Sequence, residues 1–134
     1  MMGVADQTEA FAGRSVLLVD DESIVVDVIR DVMAPKVSAF ESASNGIEAL
    51  ARIKDRDFDF ILMDIEMPRM NGIELYRYLS EMKPHLARRV IFITGDTETE
   101  GTRNFIRGTG CLFLDKPFML KDLFSVMAML GAGQ

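Results

Sequence analysis

Five polar positions stand out because each closes a short apolar run. Asp20 and Asp21 follow residues 16–19, Asp64 follows 60–63, and Thr94 follows 90–93. Lys116, with Pro117 behind it, follows 111–114 after Asp115. If these runs are parallel strands, the five side chains collect at the carboxyl edge of one sheet, where open α/β sheets bind ligands. One acid at a strand end is common. Three acids, a hydroxyl and a Lys-Pro at matching places form a far more specific set. Asp20, Asp21 and Asp64 would crowd negative charge into one corner, and a divalent cation would relieve it. Lys116 reads as a placed point cation. Each residue also has an ordinary use: Asp20 or Asp21 as a helix cap, Thr94 as a strand former, Lys116 as a surface lysine. His85, the single histidine, follows Pro84 and reads as solvated.

The elements that would position these residues alternate between two patterns. The runs VLLV (16–19), FILM (60–63), VIFI (90–93) and CLFL (111–114) have no polar partner, which predicts strands buried on both faces. Residues 37–40 alternate and predict an edge strand. Helical stripes lie between the strands. Ile24, Val25, Val28, Ile29, Val32 and Met33 form the first, with Pro35 as its stop. Asn45-Gly46 opens a second, through Ile53. Asn71-Gly72 opens a third, with Ile73, Tyr76, Leu79 and Met82 on one face. Residues 98–107 offer only Phe105 and Ile106 and predict a short, loosely held helix. Leu120, Leu123, Phe124, Met127 and Leu130 form the last. The order is (βα)5, which implies right-handed crossovers and a parallel sheet covered on both faces.

The chain has 134 residues, 49% of them hydrophobic and 27% charged, and a net charge of −6, which together suit one globular domain. The acidic excess argues against binding nucleic acid or an anionic membrane surface. Cys111 stands alone, so a disulfide framework is excluded, and it reads as a buried reduced thiol. No apolar stretch approaches a membrane span, and no signal peptide is evident, so the cytoplasm is the expected compartment. Of the ten methionines, several fall in predicted helices as core filler.

The blocks Val19-Asp20-Asp21-Glu22, residues 62–72 (LMDIEMPRMNG), Ile93-Thr94-Gly95 and Asp115-Lys116-Pro117-Phe118 resemble the signature blocks of response-regulator receiver domains. The resemblance covers roughly residues 14–131, leaving 1–13 as a leader or linker end and 132–134 as a tail. It implies a doubly wound, flavodoxin-like sheet in the order 2-1-3-4-5, an order for which a member of this family is a standard example. It further implies that Asp64 is the phosphoacceptor, taking a phosphoryl group from a histidine kinase, a histidine phosphotransfer domain or a small phosphodonor. Asp20, Asp21 and Asp64, with the backbone carbonyl of Glu66, would hold Mg²⁺ or Mn²⁺, hard cations suited to oxygen ligands. Lys116 would meet the phosphoryl charge, and Thr94 would hydrogen-bond the group once it arrives. Gly95 would keep the approach open. The resemblance implies a Lys116-Pro117 bond in cis. Such a module catalyses only its own phosphoryl transfer and dephosphorylation.

Two departures bear on function. Phe113 stands where family members with a rotating aromatic switch often carry tyrosine, so it would switch without a hydroxyl. Glu66 and Asp96 flank the site at positions linked in the family to dephosphorylation; acids there would either repel hydroxide or orient water. A haloacid-dehalogenase-type phosphatase would need an Asp where Glu66 stands. A flavodoxin-like carrier would need a phosphate-cradling loop where Asp20-Asp21-Glu22 lies. A phosphorylation-independent pseudo-receiver is the remaining alternative, against which the complete acidic set and Lys116 argue. The expected output is a changed surface around the fourth helix, fifth strand and fifth helix, read by a downstream protein or a fused output domain, or through a phosphorylation-dependent homodimer. Nothing after Leu130 would form an output domain, so a stand-alone receiver or a piece of a larger protein such as a hybrid kinase is expected.

Overall fold

The computed structural model describes residues 8–95 and 99–132; Asp96, Glu98, the first seven residues and positions 133–134 lie outside the described residues. Strands β1 (Ser15–Val19), β2 (Ala39–Ala43), β3 (Phe60–Asp64), β4 (Val90–Thr94) and β5 (Leu112–Asp115) alternate with helices α1 (Ser23–Met33), α2 (Gly46–Asp55), α3 (Gly72–Met82), α4 (Glu100–Thr109) and α5 (Leu120–Ala132). A one-turn helix, Pro84–Ala87, follows α3. The sheet is parallel throughout, in the order β2-β1-β3-β4-β5. This is the doubly wound flavodoxin-like fold, in the strand order expected from the sequence.

Alternation along the central strands feeds two cores. Leu17, Val19, Ile61, Met63 and Phe92 face α2, α3 and α4, whose Ile53, Leu75, Leu79 and Ile106 complete that side. Val16, Leu18, Leu62, Ile91 and Ile93 face α1 and α5, where Ile29, Met33, Leu123, Phe124 and Met127 close the other. Burial of β3 and β4 on both faces is why their sequences are unbroken apolar runs.

Several local features differ from the sequence reading. Strand β2 starts at Ala39, because Val37 N–H still donates to Met33 O at the exit of α1 and Ser38 N–H donates to Arg14 O. Strand β5 is not buried on both faces. It is an edge strand, and Phe113 and Asp115 are exposed while Leu112 and Leu114 are half-buried. Cys111 before it is a free, half-buried thiol, 3.7 Å from Tyr76 Oη. Helix α3 is rotated from the expected face: it buries Gly72, Leu75 and Leu79, and Met82 is exposed. Of the methionines, Met33, Met63 and Met127 are core, whereas Met119 and Met129 face solvent. Helix α4 starts at Glu100 and buries only Ile106; Phe105 adds an edge contact to Tyr76 and Phe92, with ring centroids 5.8 and 5.5 Å apart.

The packed unit also begins before β1. Phe11 is fully buried, its ring 5.1 Å from that of Phe124 on α5. The 3-10 turn Thr8–Ala10 leads into it, and Gly13, at φ 73°, donates its N–H to Lys36 O. His85 lies in the one-turn helix, exposed, with Nε2 2.8 Å from Asp57 Oδ2.

Candidate functional site

The carboxyl ends of β1, β3, β4 and β5 bring together Asp20, Asp21, Asp64, Thr94 and Lys116. Asp20, Asp64 and Thr94 are buried, while Asp21 is exposed at the rim. Asp20 Oδ1 accepts the N–H of Glu22 at 2.9 Å, which shapes the turn into α1. Neither Asp20 nor Asp21 is the α1 cap. That position is Glu22, whose side chain makes no capping hydrogen bond.

Asp64 ends β3 with both oxygens engaged. Glu66 N–H donates to Oδ1 at 3.0 Å and Lys116 Nζ to Oδ2 at 2.9 Å. Lys116 Nζ also lies 2.9 Å from Asp20 Oδ2 and 2.6 Å from Glu22 Oε1. The Asp20 contact is an ion pair without hydrogen-bond alignment, so Oδ2 is a buried oxygen that accepts no hydrogen bond. Glu22 is a member of the site that the strand-end pattern does not single out. The signal that could have found it is the third consecutive acid after β1.

Electrostatics follow from this crowding. Burial, reinforced by the charge of Asp20, pushes Asp64 up to about 6, although Lys116 and the Glu66 N–H both favour the carboxylate. For Lys116, burial alone would favour the neutral amine, but Glu22, Asp20 and Asp64 outweigh it and hold the ammonium above its ordinary value.

A divalent cation fits these residues. Asp20, Asp21 and Asp64 each offer a carboxylate oxygen, and these atoms lie within 4.8 Å of one another. The set is all oxygen, as a hard cation requires, and Asp20 carries a buried oxygen that accepts no hydrogen bond.

The flanking positions are distinct. A Cβ added at Gly95 would meet only Lys116 Cβ, at 4.0 Å, so a methyl group fits there. The Lys116-Pro117 bond is cis. Phe113 is 47% exposed and points away from the core, beside Phe92 in register. Gly72 packs so closely under the site that a Cβ there would clash with Asp64 O. No helix among the described residues is long and apolar enough to cross a membrane.

Known proteins resemble this chain in sequence and in fold. Chemotaxis protein CheY of Halobacterium salinarum is 29% identical over 115 residues, 86% of this chain and 94% of that protein. Sensor kinase CckA of Brucella abortus is 33% identical over 90% of this chain, which spans only 13% of the kinase. The crystal structure of a CheY-like response regulator receiver domain protein from Methanospirillum hungatei superposes with a TM-score of 0.81 at 25% identity, over 90% of this chain and 94% of that one. The family model of the response regulator receiver domain matches residues 16–128, which takes in all five strands but for the first residue of β1, and the polar strand ends. By that match the chain belongs to the receiver domains of two-component signalling systems.

Proposed function

We propose that this receiver takes a phosphoryl group onto Asp64 from a phosphohistidine of a kinase or phosphotransfer protein. A carboxylate oxygen of Asp64 forms the bond to phosphorus as the bond to the donor nitrogen breaks. Such transfers depend on positioning and charge neutralisation. The observation that carries the reading is the contact of 2.9 Å between Lys116 Nζ and Asp64 Oδ2, at a strand edge that also gathers Asp20 and Asp21. Lys116 would swing its charge from carboxylate to phosphoryl oxygen. Thr94, at the end of β4, would donate its hydroxyl to the same group. Asp20, Asp21, Asp64 and the Glu66 carbonyl would hold Mg²⁺, which when bound neutralises phosphoryl charge.

A groove beside the site supports approach of a protein donor. It has a volume of about 480 Å³, with Val25, Val28, Phe118 and Lys116 among the residues that line it. Ile24 and Met119 nearby are 77% and 61% exposed. The output face would be α4, β5 and α5, since α4 buries a single residue and costs little to shift. A groove of about 290 Å³ between Arg103, Ile106, Arg107 and Phe113 lies on that face.

Intact-mass spectrometry with acetyl phosphate and Mg²⁺ tests the assignment. The wild-type chain should gain one phosphoryl group and Asp64→Asn none. An undiminished adduct on the variant would assign the acceptor elsewhere.

A further inference from the structure

The loop that leaves Asp64 is pinned at two points by backbone. At its base, Gly72 N–H donates to Ile65 O at 3.0 Å. At its far turn, Met70 O accepts the N–H of Gly46, the first residue of α2, at 2.9 Å. Arg69, between the two, holds φ 64°, and Met70 N–H folds back onto Pro68 O at 3.0 Å. That is the pattern of a γ-turn with a left-handed centre, a conformation that surrounding structure must enforce.

Gly46 is well placed to enforce it. Its own position is fixed from the other side: buried Asn45 caps α2 through Glu48 N–H at 2.9 Å. The Glu48 carboxylate in turn accepts Ser44 N–H at 2.7 Å and Ser44 Oγ at 2.9 Å. A Cβ on residue 46 would lie 2.5 Å from Met70 O and 2.6 Å from Met70 Cγ, so the loop would have to move. Glycine is a poor choice for a helix on propensity alone. The close approach of Met70 explains it here.

We propose that Gly46 is a positioning residue for phosphoryl transfer. Through Met70 it sets the loop that aims Glu66 N–H at Asp64 Oδ1, and it thereby fixes the acceptor carboxylate. The inference rests on the reading of Asp64 as phosphoacceptor. It adds an element on β2–α2 that does not touch the reacting atoms.

The test compares wild type, Gly46→Ala and Gly108→Ala, an exposed helical position where a Cβ meets nothing within 4 Å. For folded protein, Gly46→Ala should slow phosphorylation by acetyl phosphate roughly 10- to 100-fold, as small misplacements of reacting groups do. It should also raise the Mg²⁺ concentration needed for half-maximal rate, whereas Gly108→Ala should match wild type. A second measurement needs no variant. Coupling is reciprocal, so Mg²⁺ with beryllofluoride should slow amide exchange at Gly46 in the wild-type chain. A Gly46→Ala rate and Mg²⁺ midpoint equal to wild type, or Gly46 exchange indifferent to beryllofluoride, would overturn the proposal while leaving Asp64 as the acceptor. A wild-type chain that takes up no phosphoryl group would overturn both.

Discussion

Lys116 Nζ is equidistant, at 2.9 Å, from Asp64 Oδ2 on β3 and Asp20 Oδ2 beyond β1. The Asp20 and Asp64 side chains are almost wholly removed from water, and Lys116 keeps 14% of its side chain exposed. One ammonium therefore serves two buried carboxylates and the more exposed Glu22, and it cannot neutralise them all. This imbalance makes the site both electrostatically tense and ready for a cation.

Removing the lysine should expose the tension. Lys116→Met leaves two buried carboxylates without a counter-charge, a change of the kind that costs about 3 kcal/mol. Urea unfolding at pH 7.5 in EDTA should show that loss, and Mg²⁺ should recover part of it. A variant as stable as wild type in EDTA would mean that the ammonium does not hold these acids.

Protonation of Asp64 gives a pH signature with a definite sign. Its folded value of about 6 lies above the ordinary 3.8. As pH rises from about 4 to 6, the unfolded chain releases this proton before the folded chain does, so metal-free stability falls across that window. A shift of this size corresponds to about 3 kcal/mol at most. The stability of wild type minus that of Asp64→Asn, from urea curves in EDTA between pH 4.5 and 7.5, should therefore decline with pH. Parallel curves would show that Asp64 titrates normally.

Mg²⁺ should stabilise the native domain by mass action, because the clustered Asp20, Asp21 and Asp64 oxygens are assembled only on folding. At a hundredfold excess over the dissociation constant the gain is about 2.7 kcal/mol. Melting in Mg²⁺ against EDTA measures it. Absence of any shift, together with no calorimetric heat of binding, would favour a pseudo-receiver.

Phe11 should prove a core residue. Phe11→Ala removes a fully buried ring from against Phe124 and should cost about 3 kcal/mol or more. The variant should still accept a phosphoryl group, since Phe11 is remote from the carboxyl edge. A melting temperature unchanged from wild type would place residues 8–13 outside the cooperative unit.

Phe11 also shows where the sequence stops being legible. The central strands were readable because burial on both faces leaves uninterrupted apolar runs. The strand-end acids and Lys116 were readable because each stands within two residues of the end of such a run. Phe11 lies in no periodic element, so nothing local announces its burial. Phe113 sits in an apolar run too, yet it is exposed, because edge position is a property of sheet order and not of the run itself. The contacts of Glu22 with Lys116, and of Gly46 with Met70, join elements far apart in sequence and depend on backbone approach.

The output face supplies the last expectation. Phosphorylation should alter α4 and β5 more than the rest of the molecule. Helix α4 is held by Ile106 and by the edge of Phe105 against Tyr76 and Phe92, so few contacts need to change. Thr94 pairs in register with Asp115, next to Lys116, whose N–H donates to Thr94 O at 2.8 Å. A phosphoryl group drawing on the Thr94 hydroxyl and the Lys116 ammonium would therefore pull β4 and β5 together at one end, which supplies the differential contact a population shift requires. Phe113, exposed on the α4 face, would then move inward as an apolar plug. Thr94→Ala should still take up a phosphoryl group but lose much of the conformational response, while Phe113→Tyr should be tolerated. Amide exchange with and without beryllofluoride reports this directly. Protection should change across α4 and β5 in wild type and much less in Thr94→Ala. Changes confined to the loop after Asp64 would mean that the signal leaves the domain by another face.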